Sequence, residues 1–145
     1  MKATRKDLSY YTVRLVELLH ASFPELSDDF KFISGRSRMA ADAYEGAFRS
    51  GNPIAICNSA ADNILFQNLR FSKFDVVFKV VCNEFYLLMP DEVLRLFAIK
   101  MFSVCEPVFE LYCLTEDFAD SAEFDQLYTE LTGTIQIWIE ENGIQ

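Results

Sequence analysis

The chain has 145 residues, of which 51% are hydrophobic, and a formal net charge of −9. A chain of this length and apolar content can bury a core of its own, so its composition excludes a disordered protein. Its net charge disfavours direct binding of nucleic acid, because a phosphate backbone is repelled by negative charge.

The first half of the chain carries the start and stop signals of three helices. Acidic and hydroxyl side chains mark helix starts because they accept hydrogen bonds from the first free amides, and Gly or Pro marks the ends. Proline at the first helical position is equally favourable. Thr4 and Asp7 start a first helix, which ends before Pro24. Asp28 and Asp29 start a second helix, which ends at Gly51. Asn52 and Pro53 start the third.

The second half predicts three further helices by the same signals. Apolar residues recur at helical spacing between them, and the residue before a proline is biased away from helical angles. Ser72 and Asp75 start a fourth helix, which Pro90 stops and whose predicted buried face is Phe74, Val77, Phe78, Val81, Phe85 and Leu88. Asp91 and Glu92 start a fifth helix, which is interrupted at Glu106-Pro107. Asp120 and Glu123 start the last helix, which Asn142-Gly143 closes.

The stretch LYTELTGTIQIWIEENG, residues 127–143, fits two periods. Residues 134–140 alternate like a strand, whereas a single helical face extends over 16 residues between two caps, so a helix is favoured. Gly133 inside it costs about 1 kcal/mol relative to alanine, and close approach of a neighbouring helix explains it. Ile137 falls off the buried face. The fold predicted for residues 1–145 is one all-α domain, a bundle of six or seven helices with no sheet.

Few residues indicate catalytic or metal chemistry. Four cysteines without C-x-x-C spacing are interpreted as buried thiols rather than as a zinc site or disulfides. Neither a phosphate-binding glycine motif nor a nucleophile elbow is present, so no cofactor and no enzyme activity is predicted. The remaining enzyme hypothesis is a carboxylate or metal site at Glu106 with Glu110 or at Asp117 with Asp120.

The N-terminal stretch and the richest apolar run bear on location. MKATRKDLSYYTVRL lacks the apolar core of a signal peptide, and FDVVFKVVCNEFYLLM is broken by Lys79 and Glu84. We therefore expect a cytoplasmic protein without a membrane segment.

Charge is distributed unevenly along the chain. All 13 Lys and Arg residues lie at or before Lys100, and residues 101–145 contain ten Asp or Glu and no basic residue. Three interpretations stay open: a solvated surface, pairing with basic residues of the same molecule such as Arg36 and Arg38, and a face that binds a basic partner. Glu140 and Glu141 lie at the unfavourable end of a helix dipole, so helix stability does not explain the whole set.

Several stretches together resemble a known family: LSYYTVRL, LRFSKFD, NEF, CEPVFELY and EDFADSAEFDQLYTELTGTIQ. The chain is similar, from about Leu8 to Gly143, to small Bacteroidales proteins catalogued only as a domain of unknown function (number eighteen ninety-six). The resemblance implies an all-helical fold and a setting on mobile, conjugative elements near DNA-handling genes. It implies no activity and no catalytic residues.

The function hypothesis is a non-catalytic accessory or adaptor protein whose acidic C-terminal face binds a basic protein. The alternative is an acidic DNA mimic that inhibits a DNA-binding protein, and a small carboxylate- or metal-dependent enzyme ranks below both. The predicted partner-binding residues are Glu116, Asp117, Asp120, Glu123, Asp125 and, if it shares their face, Ile137.

Overall fold

The computed structural model describes residues 8–144, and this part of the chain is helical without any β-strand. It forms six α-helices and three short 3₁₀ turns, which confirms the predicted all-α fold. The predicted cap at Thr4 and Asp7 lies outside the described residues. The helices are α1 (Leu8–Ser22), α2 (Phe30–Arg49), α3 (Ile54–Leu65), α4 (Lys73–Glu84), α5 (Asp91–Phe109) and α6 (Phe124–Asn142).

The chain divides into two compact units, each with a buried core of its own. The N-terminal unit is Met1–Arg70 and the C-terminal unit is Phe71–Gln145. The single domain over residues 1–145 stays a prediction. The uneven charge follows this division, because the C-terminal unit has four basic and fourteen acidic residues, whereas the N-terminal unit has nine and eight.

The N-terminal unit is built from α1, α2 and α3. Tyr11, Leu15 and Leu19 are buried on α1 at the spacing of one helical face. The Asp29 side chain accepts a hydrogen bond from the Phe32 amide at 3.1 Å and caps α2, as predicted.

The connection between α2 and α3 differs from the prediction by one residue. Gly51 ends α2 with a positive φ of 87°, a conformation that glycine adopts without steric cost. The Asn52 side chain then donates to the Ala47 carbonyl at 3.0 Å, so it satisfies the end of α2 instead of the start of α3. Pro53 takes the N-cap position, and its carbonyl accepts from the Cys57 amide.

The C-terminal unit is a three-helix bundle. The Ser72 hydroxyl accepts from the Asp75 amide at 3.0 Å and starts α4, as predicted. The α5 helix runs antiparallel to both neighbours. Its last turn contacts the start of α4, although the short connection from α4 enters at its other end, and its second turn contacts Trp138 near the end of α6. The α4–α5 connection and the α5–α6 connection therefore lie at opposite ends of α5, separated by roughly 28 Å for a 19-residue helix.

Three local predictions for this unit were wrong. The α5 helix continues through Pro107 to Phe109, because the burial of Cys105 and Phe109 outweighs the hydrogen bond that proline cannot donate. The α6 helix begins at Phe124 with Glu123 as its N-cap, and Asp120 lies in a preceding 3₁₀ turn. Leu88, predicted to face the core, is exposed in the turn after α4.

The helical period in residues 127–143 is confirmed. The α6 helix is continuous through this stretch, with Leu127, Leu131 and Ile135 fully buried and Ile137 exposed. Gly143 ends it with a positive φ of 76°. The explanation offered for Gly133 was wrong, because a Cβ at this position would meet nothing within 4 Å.

Candidate functional site

Five of the six predicted partner-binding residues lie within residues 116–125, which comprise the end of the α5–α6 connection and the first two residues of α6 and which we call the acidic turn. A 3₁₀ turn at Phe118–Asp120 forms its centre. Amide hydrogen bonds from Phe118 to Thr115, from Asp120 to Asp117 and from Ser121 to Phe118 hold its backbone, each about 3 Å long. These three hydrogen bonds give the chain an ordered turn conformation before α6 begins.

Phe118 anchors the acidic turn in the core of the C-terminal unit. Its side chain is only 2% exposed, and its ring lies edge-on to those of Phe71, Tyr112 and Phe124 at 5.5, 5.7 and 6.5 Å between centroids. This edge-to-face geometry is the favourable one for aromatic rings. The buried ring therefore fixes the position of a segment in which most other side chains face water.

The carboxylates of the acidic turn point outward. Glu116 is half-buried, and Asp117, Asp120, Glu123 and Asp125 are exposed. Within residues 8–144, no basic side chain forms an ion pair with Glu116, Asp120, Glu123 or Asp125. Their negative charge is therefore not neutralised by contact with the described part of the molecule.

The four basic residues of the C-terminal unit all lie over aromatic rings. The cationic groups of Lys73, Lys79, Arg95 and Lys100 are 4.9–5.9 Å from the centroids of Phe109, Phe124, Phe74 and Trp138, respectively. The negative face of an aromatic ring attracts a cation at this distance. Lys73 also pairs with Glu106 at 3.2 Å. These cations stabilise the packing of the helices.

Of the two basic residues named as internal partners of the acidic segment, Arg36 has other contacts. The Arg36 guanidinium donates to the carbonyls of Ile64, Leu65 and Gln67 at 2.7–3.3 Å, and burial lowers its pKa. It satisfies carbonyls at the end of α3, which have no helical partner. Arg38, the other named residue, is exposed.

Ile137 is exposed, as the sequence predicts, but it lies away from the acidic turn. It is 56% exposed on α6, twelve residues after Asp125. At 1.5 Å per residue this places it roughly 18 Å further along the helix axis. Ile137 therefore does not extend the acidic turn, and the partner-binding role of the six residues stays a prediction.

Two tyrosine–carboxylate hydrogen bonds were not visible in the sequence. The Tyr112 hydroxyl donates to Glu130, and this bond raises the pKa of Tyr112 to about 12. The Tyr128 hydroxyl donates to Glu84 at 2.9 Å, and burial raises the pKa of Tyr128. Both pairs tie α6 to another segment, so Glu84 and Glu130 are structural acids.

A shallow recess of about 490 Å³ lies where α4 ends and α6 continues. Most of its lining residues have polar side chains, and Gly133 contributes open space to it. It contains a carboxylate, a phenol and two threonine hydroxyls, but no thiol or imidazole. The lining residues are Glu84, Tyr128, Thr129, Thr132, Gly133 and Gln136.

The arrangement of the cysteines and carboxylates bears on metal binding and on thiol reactivity. Within residues 8–144 there is no group of three or more His, Cys, Asp or Glu side chains placed to hold a metal ion. Cys57 and Cys105 are buried, and burial raises the pKa of Cys105 to about 12, which keeps it a thiol at neutral pH. Cys113, predicted to be buried, is exposed because it follows the end of α5.

Comparison with known proteins identifies the family. The sequence profile of the Domain of unknown function (DUF1896) matches residues 3–144. The chain belongs to this family. Its membership confirms the resemblance drawn from the sequence, and the all-helical fold agrees with it.

A solved structure has the same fold as this chain. The crystal structure of protein PG0816 from Porphyromonas gingivalis is similar to this chain with a TM-score of 0.91 and 35% sequence identity. The similarity covers 100% of this chain and 99% of that one. No curated protein matches the chain. None of the helices within residues 8–144 is long and apolar enough to span a bilayer.

Proposed function

We propose that this DUF1896 protein is a non-catalytic, cytoplasmic accessory or adaptor protein whose acidic turn binds a basic protein. The observation that carries the proposal is the anchoring of the turn. A buried Phe118 and a set of turn hydrogen bonds hold the carboxylates of the turn in one place. Among the described residues, Glu116, Asp120, Glu123 and Asp125 have no ion-pair partner. Charges that served only hydration would need no such anchor.

Charge complementarity of this kind acts mainly on encounter and specificity. A negative patch raises the rate at which a positive partner arrives, and the effect weakens as salt screens the charges. The family resemblance implies a setting near DNA-handling genes, and nucleic-acid-binding proteins carry the positive surfaces that such a patch attracts.

A DNA mimic is supported less well by the distribution of charge. Duplex DNA carries one negative charge per roughly 1.7 Å of its axis. The α6 helix, roughly 28 Å long, carries only Asp125, Glu130, Glu140 and Glu141, and Glu130 is bonded to Tyr112. The carboxylates gather in one short turn instead of following an extended line.

The test is a charge reversal of the acidic turn with a matched control. A partner recovered from the native host is purified, and its association rate is measured against the wild type and the variant Asp117→Lys/Asp120→Lys/Glu123→Lys. The control variant Glu17→Lys/Asp28→Lys/Asp42→Lys changes three exposed acids of the N-terminal unit. Both variants shift the net charge from −9 to −3.

We expect the acidic-turn variant to associate about tenfold or more slowly, since steering accounts for at least that factor in charged complexes. The control should keep most of the wild-type rate, and the wild-type rate should fall with rising salt. Equal rates for the two variants, or a rate independent of salt, would contradict the proposal. Far-UV circular dichroism of both variants verifies that each is folded.

A further inference from the structure

Three consecutive large hydrophobic residues are exposed between α4 and α5. Tyr86, Leu87 and Leu88 form a 3₁₀ turn and are 53%, 82% and 52% exposed. Leu87 is the most exposed large hydrophobic residue in the described part of the chain. We call these three residues the apolar turn. A cluster of this kind is unusual, because isolated exposed leucines are common but contiguous apolar patches often mark binding sites.

The apolar turn is held from both sides. Phe85 and Met89, the residues that flank it, are buried in the core of the C-terminal unit, and the Leu88 amide donates to the Phe85 carbonyl at 3.1 Å. Pro90 then fixes the backbone before α5. The three side chains are therefore presented on a backbone that is already ordered, which lowers the entropy lost on binding.

Acidic residues surround the apolar turn in the chain. Glu84 precedes it and Asp91 and Glu92 follow it, all three exposed, and no basic residue occurs between Lys79 and Arg95. Apolar anchors with a charged rim are the usual composition of a protein interface. A complementary surface would have an apolar pocket with basic groups at its edge.

We propose that the apolar turn is a second docking element, which inserts Leu87 into an apolar, basic-rimmed pocket of a protein partner. A second copy of this chain fits less well, because its own acidic rim and its net charge of −9 would repel the first. The apolar turn lies at the opposite end of α5 from the acidic turn, so its role does not depend on the proposed function of that turn.

The first experiment replaces Leu87 with the photo-crosslinking residue p-benzoylphenylalanine and irradiates the full-length protein in an extract of the native host. Phe30, which is 74% exposed on the N-terminal unit, carries the same group in the control. We expect a crosslink to one protein, absent from the Phe30 control, at an apolar site with Lys or Arg nearby. A crosslink to a second copy, to lipid or to an acidic site, or no crosslink above the control, overturns the proposal.

The second experiment measures binding of the captured, purified protein. Leu87→Ser should weaken the dissociation constant about tenfold or more, as for a central apolar anchor. It should leave the urea midpoint unchanged, because the side chain is already in water. Phe30→Ser is the matched control and should bind like the wild type. Equal affinities for Leu87→Ser and Phe30→Ser overturn the proposal, and the acidic-turn reversal, measured in parallel, reports separately on the proposed function.

Discussion

Replacing Phe118 by alanine tests whether one buried ring holds the acidic turn. Removing a buried phenylalanine costs about 3–5 kcal/mol, through lost apolar burial and the cavity that stays behind. Phe118 belongs to a surface segment, where neighbouring groups can more easily collapse into the cavity. We therefore expect the lower value, about 3 kcal/mol. That is a large share of the 5–15 kcal/mol typical of a whole protein.

The assay is urea unfolding together with amide hydrogen exchange. With a urea dependence of about 1–3 kcal/mol per M, the midpoint should fall by roughly 1–3 M. The amides of Asp120 and Ser121, which donate within the turn, should exchange faster than in the wild type. Binding of a basic partner should weaken although no carboxylate has been removed, because the carboxylates are no longer held in place.

Two further variants separate anchoring from general damage. Phe30→Ala removes a ring that is 74% exposed and should change stability by less than about 0.5 kcal/mol. Phe118→Leu keeps most of the apolar volume and should preserve the slow exchange of the turn amides. The reasoning is refuted if Phe118→Ala costs no more than Phe30→Ala, or if the turn amides exchange at the wild-type rate in Phe118→Ala.

Three other predictions follow from single side chains. Gly133→Ala should stabilise the protein by about 0.5–1 kcal/mol, because its Cβ enters open space within a helix. Gly143→Ala should destabilise it, because φ is positive at that position. The urea midpoint should rise in the first variant and fall in the second, relative to the wild type. The pKa of the Tyr112 phenol is raised from 10.0 to about 12 by its bond to Glu130, so the stability it contributes is complete below pH 10 and lost as pH rises to 12. Glu130→Gln should bring the ultraviolet titration of Tyr112 back towards pH 10. An unchanged titration in this variant would contradict the bond. Cys113, as the exposed thiol, should react first with iodoacetamide in the folded protein, and mass spectrometry that finds another cysteine modified first would contradict its placement.

The sequence contained enough local information for the helices. The caps at Asp29 and Ser72 and the stop at Gly51 depend on contacts within a few residues, and the structure has all three. The helical period of α6 was readable for the same reason, since buried residues recur along one face. Secondary structure that is decided locally was therefore predictable.

The errors arose where distant contacts decide the outcome. Pro107 has the local character of a helix stop, yet two buried neighbours keep it inside α5. The sequence pattern places the start of α6 at Asp120 and Glu123, because carboxylates suit a helix start. Only the contact of Phe118 with Phe71, 47 positions earlier in the chain, shows that Asp120 lies in a separate anchored segment. No spacing rule in one sequence identifies such a pair.

The candidate site was predictable in composition but not in form. Counting charges located the carboxylates, whereas the cations lying over aromatic rings and the Tyr112–Glu130 bond became visible only in the folded chain. Likewise, Leu88 carried the spacing of a core residue, and only the early end of α4 at Glu84 exposed it.

The most direct test of the central claim is a hydrogen-exchange footprint of the complex with a basic partner from the native host. Binding should slow exchange of the backbone amides in residues 116–125. The acidic-turn reversal should remove this protection at equal protein concentrations, whereas the matched control should keep it. Protection confined to the N-terminal unit, with residues 116–125 unchanged on binding, would contradict the account.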